Sequence, residues 1–370
     1  MRKEGIVSMR ERFAVIMAGG RGERFWPASR LKQPKHLLPI VGDGPMLTQT
    51  VERLDGVVPE ENLFVITNQE QRDSILEIVP GLVPERVIAE PVGRDTAPAV
   101  ALATLLVKSR NPDATFAMLP ADAVIQPKGA FQADLIHAFQ AAEREDAIIT
   151  IGVKPSYPAT GYGYIHRGPA VLHVDEAPVY SVEKFVEKPC AQTAEEYVAS
   201  GNYFWNAGIF LWRVSVIESQ FKLHAEELWA TVDKVEKGIN RGTELDFLLD
   251  THYPLMEKVS IDYAVLEKAD RVLTVEASFN WDDVGEWAAI ARHYLADQNG
   301  NVSKGGAFFQ ESSDNIAFIS EDHLIAMYGV EDLIVVRTPN ATLVCPKSRS
   351  QDIKNLVQKI ANHPEWKHLC

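Results

Sequence analysis

Between residues 13 and 153 the chain alternates five short apolar runs with helical stretches, and this pattern restricts the fold more than any other feature. The runs are FAVIM (13–17), LFVIT (63–67), RVIA (86–89), TFAML (115–119) and AIITIGV (147–153). Continuous apolar runs of this length suit strands buried on both faces, the mark of a parallel sheet. Between them, helices are expected over 45–54, with a proline near the start, over 69–79, from Asp95 or Thr96 as N-cap, and over 129–144. Strands alternating with helices imply an α/β sheet covered on both sides. In such sheets ligands bind beyond the carboxyl ends of the strands. Gly19, Glu90 and Asp122 all fall there.

The first strand runs into Ala18-Gly19-Gly20-Arg21-Gly22, followed by Arg24, Arg30, Lys32 and Lys35 with only Glu23 against them. This basic stretch lies inside a chain of net charge −14. Glycines after a strand let backbone amides approach a ligand closely, and cations behind them suit phosphate groups. Two common phosphate motifs fail here. Phe25 stands where the third glycine of a dinucleotide fingerprint belongs, and the loop has no Lys-Ser or Lys-Thr pair for a P-loop. The pattern G-G-x-G-x-R, a proline-containing spacer and Pro34-Lys35 resembles the signature of sugar-nucleotide pyrophosphorylases.

The acidic balance argues against nucleic acid as a partner. Three widely spaced cysteines offer neither a disulfide framework nor a C-x-x-C metal pair, which fits a cytoplasmic protein. No run approaches the ~20 apolar residues of a membrane span, and residues 1–12 read as a polar extension without a signal peptide. Beyond 160 the alternation loosens. Strands are expected at 161–165, 182–186, 206–212 and 272–275, with helices at 193–200, across 213–253 and at 261–268. Residues 281–285 read as a turn into a helix around Trp287. Polar residues at 297–306 suggest a boundary. Short β-like runs at 316–319, 324–327, 333–336 and 341–344, then a helix over 351–361, complete the chain. The expected division is an extension (1–12), a catalytic domain (13–297) and a small β-rich domain (298–370). That last domain has no carboxylate or histidine cluster, so its expected role is structural or in oligomer contacts.

Five further segments carry the resemblance in the family's order: EPVGRDTAPA, LPADAVI, GYGYI, FVEKP with NAGIF, and IDYAVLEK with WDDVGEW. The Glu90–Ala99 segment and SIDYAVLEK are most similar to the mannose-1-phosphate guanylyltransferases. The resemblance implies a Rossmann-like, GT-A-like nucleotidyltransferase with a mostly parallel sheet and a short β-rich tail. It implies GMP transfer from GTP to mannose 1-phosphate with Mg²⁺, in a homodimer. Arg24, Lys35 and Lys188 are the implied catalytic groups, and Asp122 and Asp283 the metal ligands, with Asp282 as the rival of Asp283. Ala18, Gly19, Gly20, Arg21, Gly22, Glu90, Pro91, Gly93, Arg94 and Thr96 would bind the nucleotide. Glu90 is the candidate for the donor edge of guanine. Gly163, Tyr164, Glu187, Lys188, Asn206 and Gly208 would bind the sugar phosphate, with Trp205 and Trp281 beside them. His36, next to Lys35, is placed where it could touch phosphate.

The chain departs from the family pattern at Ala123, where histidine is frequent, at Asp95 for asparagine and at Asp282 for serine. Longer relatives carry a phosphomannose isomerase domain behind this one, and that second activity is expected to be missing here. Rival readings are the same chemistry on another pair (GDP-heptose, UDP- or dTDP-glucose) and a non-catalytic sensor of sugar nucleotides. Retention of Arg24, Lys35, Asp122 and Asp283 speaks against the sensor.

Overall fold

The computed structural model describes residues 11–320 and 322–370, so nearly all of the expected extension lies outside it. Its last residue, Arg12, already belongs to the first strand and pairs with Glu143 at 2.7 Å. In chain order the first elements are β1 (Arg12–Met17), α1 (Met46–Leu54), β2 (Leu63–Asn68), α2 (Arg72–Ile78), β3 (Val87–Glu90), α3 (Thr96–Arg110) and β4 (Thr115–Pro120). Then follow β5 (Val124–Gln126), α4 (Lys128–Arg144), β6 (Ile148–Val153), β7 (Tyr164–Val174), β8 (Ala177–Val186), α5 (Ala191–Ser200) and β9 (Tyr203–Arg213). Helices α6 (Val214–His224), α7 (Glu226–Ile239) and α8 (Leu245–His252) lead to β10 (Val272–Glu276) and β11 (Asn280–Asp282).

Nine strands form one sheet in the order β3-β2-β1-β4-β9-β6-β10-β8-β7. The first four are parallel, as the βα alternation predicts. The period-2 alternation of side chains separates two cores. Ala14 and Ile16 of β1 pack on the side of α1 and α4, while Phe13 and Val15 pack on the side of α3, α6 and α7. Helix α3 is buried along nearly its whole length, which explains why it is apolar all round. Strand β9 inserts antiparallel between β4 and β6, joining the two halves of the sheet. β7 and β8 form one long hairpin around Asp175-Glu176, both at positive φ.

Two expected helices take other forms. The first, expected from residue 69, starts only at Arg72, because residues 69–71 make a turn in which Asn68 accepts from the Gln71 amide at 3.1 Å. The second, at 261–268, is a π-type turn over Asp262–Leu266. The turn expected at 281–285 begins as β11, which pairs antiparallel with β5 and sets Asp282 opposite Val124.

The chain then builds β12 (Val302–Lys304), β13 (Gly306–Gln310), β14 (Ile316–Ile319), β15 (Leu324–Tyr328), β16 (Leu333–Arg337), β17 (Thr342–Pro346) and α9 (Ile353–Ala361). β12, β14 and β16 are stacked in parallel, as are β13 and β15, and β17 closes the larger sheet antiparallel. Buried Asn301 and Asn315 bond to each other at 2.9 Å and satisfy carbonyls of successive turns. One apolar cluster joins this β-rich part to the signature loop: Phe25 and Trp26 share it with Trp287, Phe318, Ile353 and Val357. Among the described residues no helix is long and apolar enough to cross a membrane.

Candidate active site

The loop after β1 is held from several sides. Thr67 donates to the Ala18 carbonyl at 2.9 Å, Gln71 to Gly20 at 3.3 Å and Ser29 to Gly22 at 2.6 Å. Gly22 has φ 63, and a Cβ there would lie 2.6 Å from Cβ of Lys35, so only glycine fits. Lys35, 5% exposed, is thereby pressed towards the carboxyl end of β4. Its Nζ donates to the Asp122 carboxylate at 3.0 Å, to the Asp122 carbonyl at 2.9 Å and to the Asp283 carbonyl at 2.5 Å. One ammonium therefore ties together two segments 161 residues apart. Arg24 reaches the Gly285 carbonyl at 3.5 Å. Arg21, Arg24, Lys35, Asp122 and Asp283 line one cleft of about 420 Å³, together with Lys354 of α9.

Burial works against the charge of Asp122, but Lys35 outweighs it and holds this carboxyl below the ordinary range. Burial raises the Asp283 carboxyl, with Lys35 pulling the other way. The neighbouring Asp282 is fully engaged elsewhere. Arg292 grips it with two bonds of 2.6 and 2.7 Å, His293 lies at 2.9 Å, and the Val284 amide donates at 2.8 Å. These partners overcome burial and hold its carboxyl far below normal. Asp282 thus braces the turn, and Asp283 is the residue of the pair that faces the cleft.

Glu90 ends β3 beneath the loop, with an added Gly19 Cβ 3.3 Å from Oε2. Tyr253 donates a short hydrogen bond to Oε1, and burial pushes this carboxyl up to about 7. Pro91 and Gly93 continue along the surface. Arg94 and Thr96 have other partners in this structure: Arg94 donates to the Pro254 carbonyl, and the Thr96 hydroxyl accepts from the Ile261 amide at 2.8 Å. Asp95 caps α3 through the Thr96 amide.

A second group gathers at the ends of β8 and β9. An added Gly163 Cβ would sit 2.7 Å from the Glu187 carboxylate, so glycine leaves room for that acid. Lys188 pairs with Glu187 and has φ 44, a conformation lysine seldom adopts outside constrained sites. Asn206 orients the Gly208 amide at 3.1 Å and donates to Asp262 at 3.4 Å. Burial and the nearby Glu187 push the Asp262 carboxyl up to about 6. Tyr164 turns inward and donates to the Ala159 carbonyl at 2.9 Å, so its side chain is part of the core.

Three other expectations need correction. His36 is 2% exposed and held neutral, its imidazole pushed down to about 4 by burial, so it faces the core and not a phosphate. Trp205 and Trp281 pack with Tyr157 and Tyr162 and line a separate cleft with Arg292 and His293, behind Asp282. The β-rich tail, expected to be structural or in oligomer contacts, also lines the cleft of Lys35 and Asp122, through Lys354. Tyr253, Asp262 and Lys354 stand beside these groups as well, and the sequence reading did not single them out. Asp262 lies inside a recognised segment, but Tyr253 and Lys354 carry no local signal.

Comparison with known proteins accords with this geometry. Residues 13–300 match the family model described as nucleotidyl transferase, and residues 311–360 match a MannoseP isomerase/GMP-like β-helix domain. A mannose-1-phosphate guanylyltransferase of Klebsiella pneumoniae is 38% identical over 348 residues, covering 93% of this chain and 73% of that protein. One from Escherichia coli K12 is 35% identical over 360 residues, covering 96% and 75%. A crystal structure of a Thermus thermophilus protein named mannose-1-phosphate geranyltransferase superposes with a TM-score of 0.82 at 32% identity, covering 95% of this chain and 99% of that one. With its mostly parallel sheet, glycine-rich loop and β-rich tail, the chain belongs to the nucleotidyl transferase family, in the branch of the mannose-1-phosphate guanylyltransferases.

Proposed function

We propose that this protein transfers GMP from GTP to mannose 1-phosphate, forming GDP-mannose and pyrophosphate. The carrying observation is the Lys35 ammonium, which ties Asp122 to the Asp283 turn inside a cleft that also presents Arg21 and Arg24. In this reading residues 13–297 form the catalytic unit and 298–370 the β-rich one. A homodimer in the cytoplasm belongs to the same reading, on the family resemblance.

A phosphate oxygen of mannose 1-phosphate attacks the α-phosphorus of GTP. The new P–O bond forms as the bond to the β-phosphate breaks, and both electrons of that bond leave with pyrophosphate. Such a transfer relies on positioning and on neutralising charge. The backbone of Ala18, Gly19, Gly20 and Gly22 receives the nucleotide phosphates, and Arg21 and Arg24 hold the triphosphate. Lys188 holds the sugar phosphate, while Glu187 and Asn206 take sugar hydroxyls. Asp122 and Asp283 offer hard oxygen donors on one cleft, a set that fits Mg²⁺, which commonly takes one or two carboxylates and fills its remaining positions with phosphate and water. That ion would supply charge neutralisation at the phosphates.

Glu90 reads the guanine edge in this scheme, and it makes binding depend on pH. Its carboxyl lies near 7 instead of the ordinary 4.5, so ionisation, and with it acceptance from the base, is completed only above neutrality. GTP affinity of the parent protein is therefore expected to rise from pH 6 to 8 relative to a Glu90→Gln variant. Taking this difference cancels the titration of GTP itself. Stability moves the other way. A folded-state carboxyl raised above its unfolded value costs stability as pH rises from about 4.5 to 7, and no more beyond. Calorimetric titration of both proteins across this range checks the point, and parallel pH profiles would remove Glu90 from the base site.

The function itself is tested by pyrophosphate release from a panel of nucleoside triphosphates and sugar 1-phosphates, with Mg²⁺ and with chelator. Metal-dependent release greatest with GTP and mannose 1-phosphate is expected. A maximum with another pair would replace the substrates, and binding without release would point to a sensor.

A further inference from the structure

We propose that Lys354, carried by the C-terminal β-rich domain, binds the β- and γ-phosphates of GTP and holds pyrophosphate as it departs. Lys354 is the second residue of α9 and lines the cleft of Arg21, Arg24, Lys35, Asp122 and Asp283. It makes no hydrogen bond or ion pair among the described residues. Its basic neighbours do: Lys347 pairs with Asp332 and Arg349 with Asp352. Like Arg21 in the same cleft, it is an exposed cation without a protein partner among the described residues, and such cations beside two carboxylates are placed for an anion that arrives with the substrate.

The charge of the cleft points the same way. Lys35 is already bonded to Asp122 and to the Asp283 turn, so much of its charge is committed before a triphosphate enters. Arg21 and Arg24 come from the loop on one side, and Lys354 adds a cation from the second domain.

The helix that carries Lys354 is also fixed against the loop. Trp26, two residues after Arg24, donates to the Leu369 carbonyl at 2.8 Å, and Trp287 donates to the Trp26 carbonyl at 3.0 Å. Ser350 donates to Glu286 at 2.6 Å, beside the Asp283 turn. Ile353 and Val357, flanking Lys354 on α9, are buried in the apolar cluster that holds Phe25 and Trp26. The helix is thereby clamped to the very loop that would hold the triphosphate, and the tail becomes part of the nucleotide site.

This inference rests on the GTP reading above. The test uses full-length Lys354→Ala and Lys354→Met, with Lys359→Ala as control, since Lys359 lies on the same helix but lines a different surface groove. The forward KM for GTP and the reverse KM for pyrophosphate are expected to rise about tenfold or more in both Lys354 variants, the scale of one charge-assisted hydrogen bond. KM for mannose 1-phosphate and for GDP-mannose, and the melting temperature, stay near the parent values. Constants for GTP and pyrophosphate within about twofold of the parent in either folded variant overturn the proposal, as does a loss that follows only a fall in melting temperature. Calorimetric binding of Mg²⁺-pyrophosphate to the same proteins separates the two readings. If the parent turns over no sugar phosphate, the GTP reading fails, while weaker pyrophosphate binding in the variants still supports Lys354.

Discussion

Asp283→Ala is expected to lower kcat for pyrophosphate release at least a thousandfold while leaving the melting temperature nearly unchanged, and Asp282→Ala to do damage in the opposite order. Asp283 faces the cleft with Asp122, Arg21 and Arg24. On the metal-holding role proposed for this carboxylate, its loss would remove several kcal/mol of charge stabilisation at the transition state, at about 1.4 kcal/mol per tenfold in rate. Asp282, 8% exposed, is instead a brace. Its removal leaves two guanidinium bonds, the His293 contact and the Val284 amide without an acceptor. The side chain of Arg292 is 42% exposed, which tempers the loss to about 2–4 kcal/mol. Thermal melts and release rates on both variants decide the matter. A stable, inactive Asp282→Ala beside an active Asp283→Ala would reverse the assignments.

Lys35→Met is the second large effect. The methionine fills similar volume, so the packing beside Gly22 and Phe25 survives. The three oxygens that the ammonium served lose their donor. Asp122 and the Asp283 turn are then no longer held together, and the leaving pyrophosphate loses a fixed positive group. A fall in kcat of about 10²–10³-fold is expected, the scale seen when a preorganised donor is removed. Stability should fall by about 1–2 kcal/mol, from backbone carbonyls left without their donor, while the Asp122 side chain, 44% exposed, can turn to water. Lys35→Arg should not restore turnover, because a residue 5% exposed leaves no room for a guanidinium. Full activity in Lys35→Met would mean that Arg21 and Arg24 suffice, and that Lys35 is only a strut.

The parallel half of the sheet could be read from the chain because its signals are local. Five apolar runs with helices between them have few ways to bury both faces, and β1 does so by sending alternate residues into two cores. The glycine loop was visible for a similar reason: its residue types mark the place where a strand ends and a phosphate could be met. The roles given there to Arg21, Arg24, Lys35, Asp122 and Asp283 await the tests above, but the fold does bring all five to one cleft.

What the sequence left open depended on direction and on distant partners. Adjacent Asp282 and Asp283 look alike as letters, yet neighbouring residues point to opposite sides, so one meets Arg292 and the other meets the cleft. His36 and Lys35 differ in the same way, one turned into the core and the other towards Asp122. Arg94 and Thr96 sit in a recognised segment, but their partners lie about 160 residues on, at Pro254 and Ile261. Tyr253 reaches Glu90 across 163 residues, and Lys354 comes from α9 to line the same cleft as the signature loop. By itself the sequence determined the parallel half of the sheet and a loop suited to phosphate, because burial period and residue type are written along the chain, while the kind of chemistry came from the resemblance. Only the tertiary structure decided which of the two aspartates faces the cleft, which cations there lack a partner among the described residues and that Lys354 of the tail lines the same cleft, because side-chain direction and long-range packing arise only when separate segments share one core.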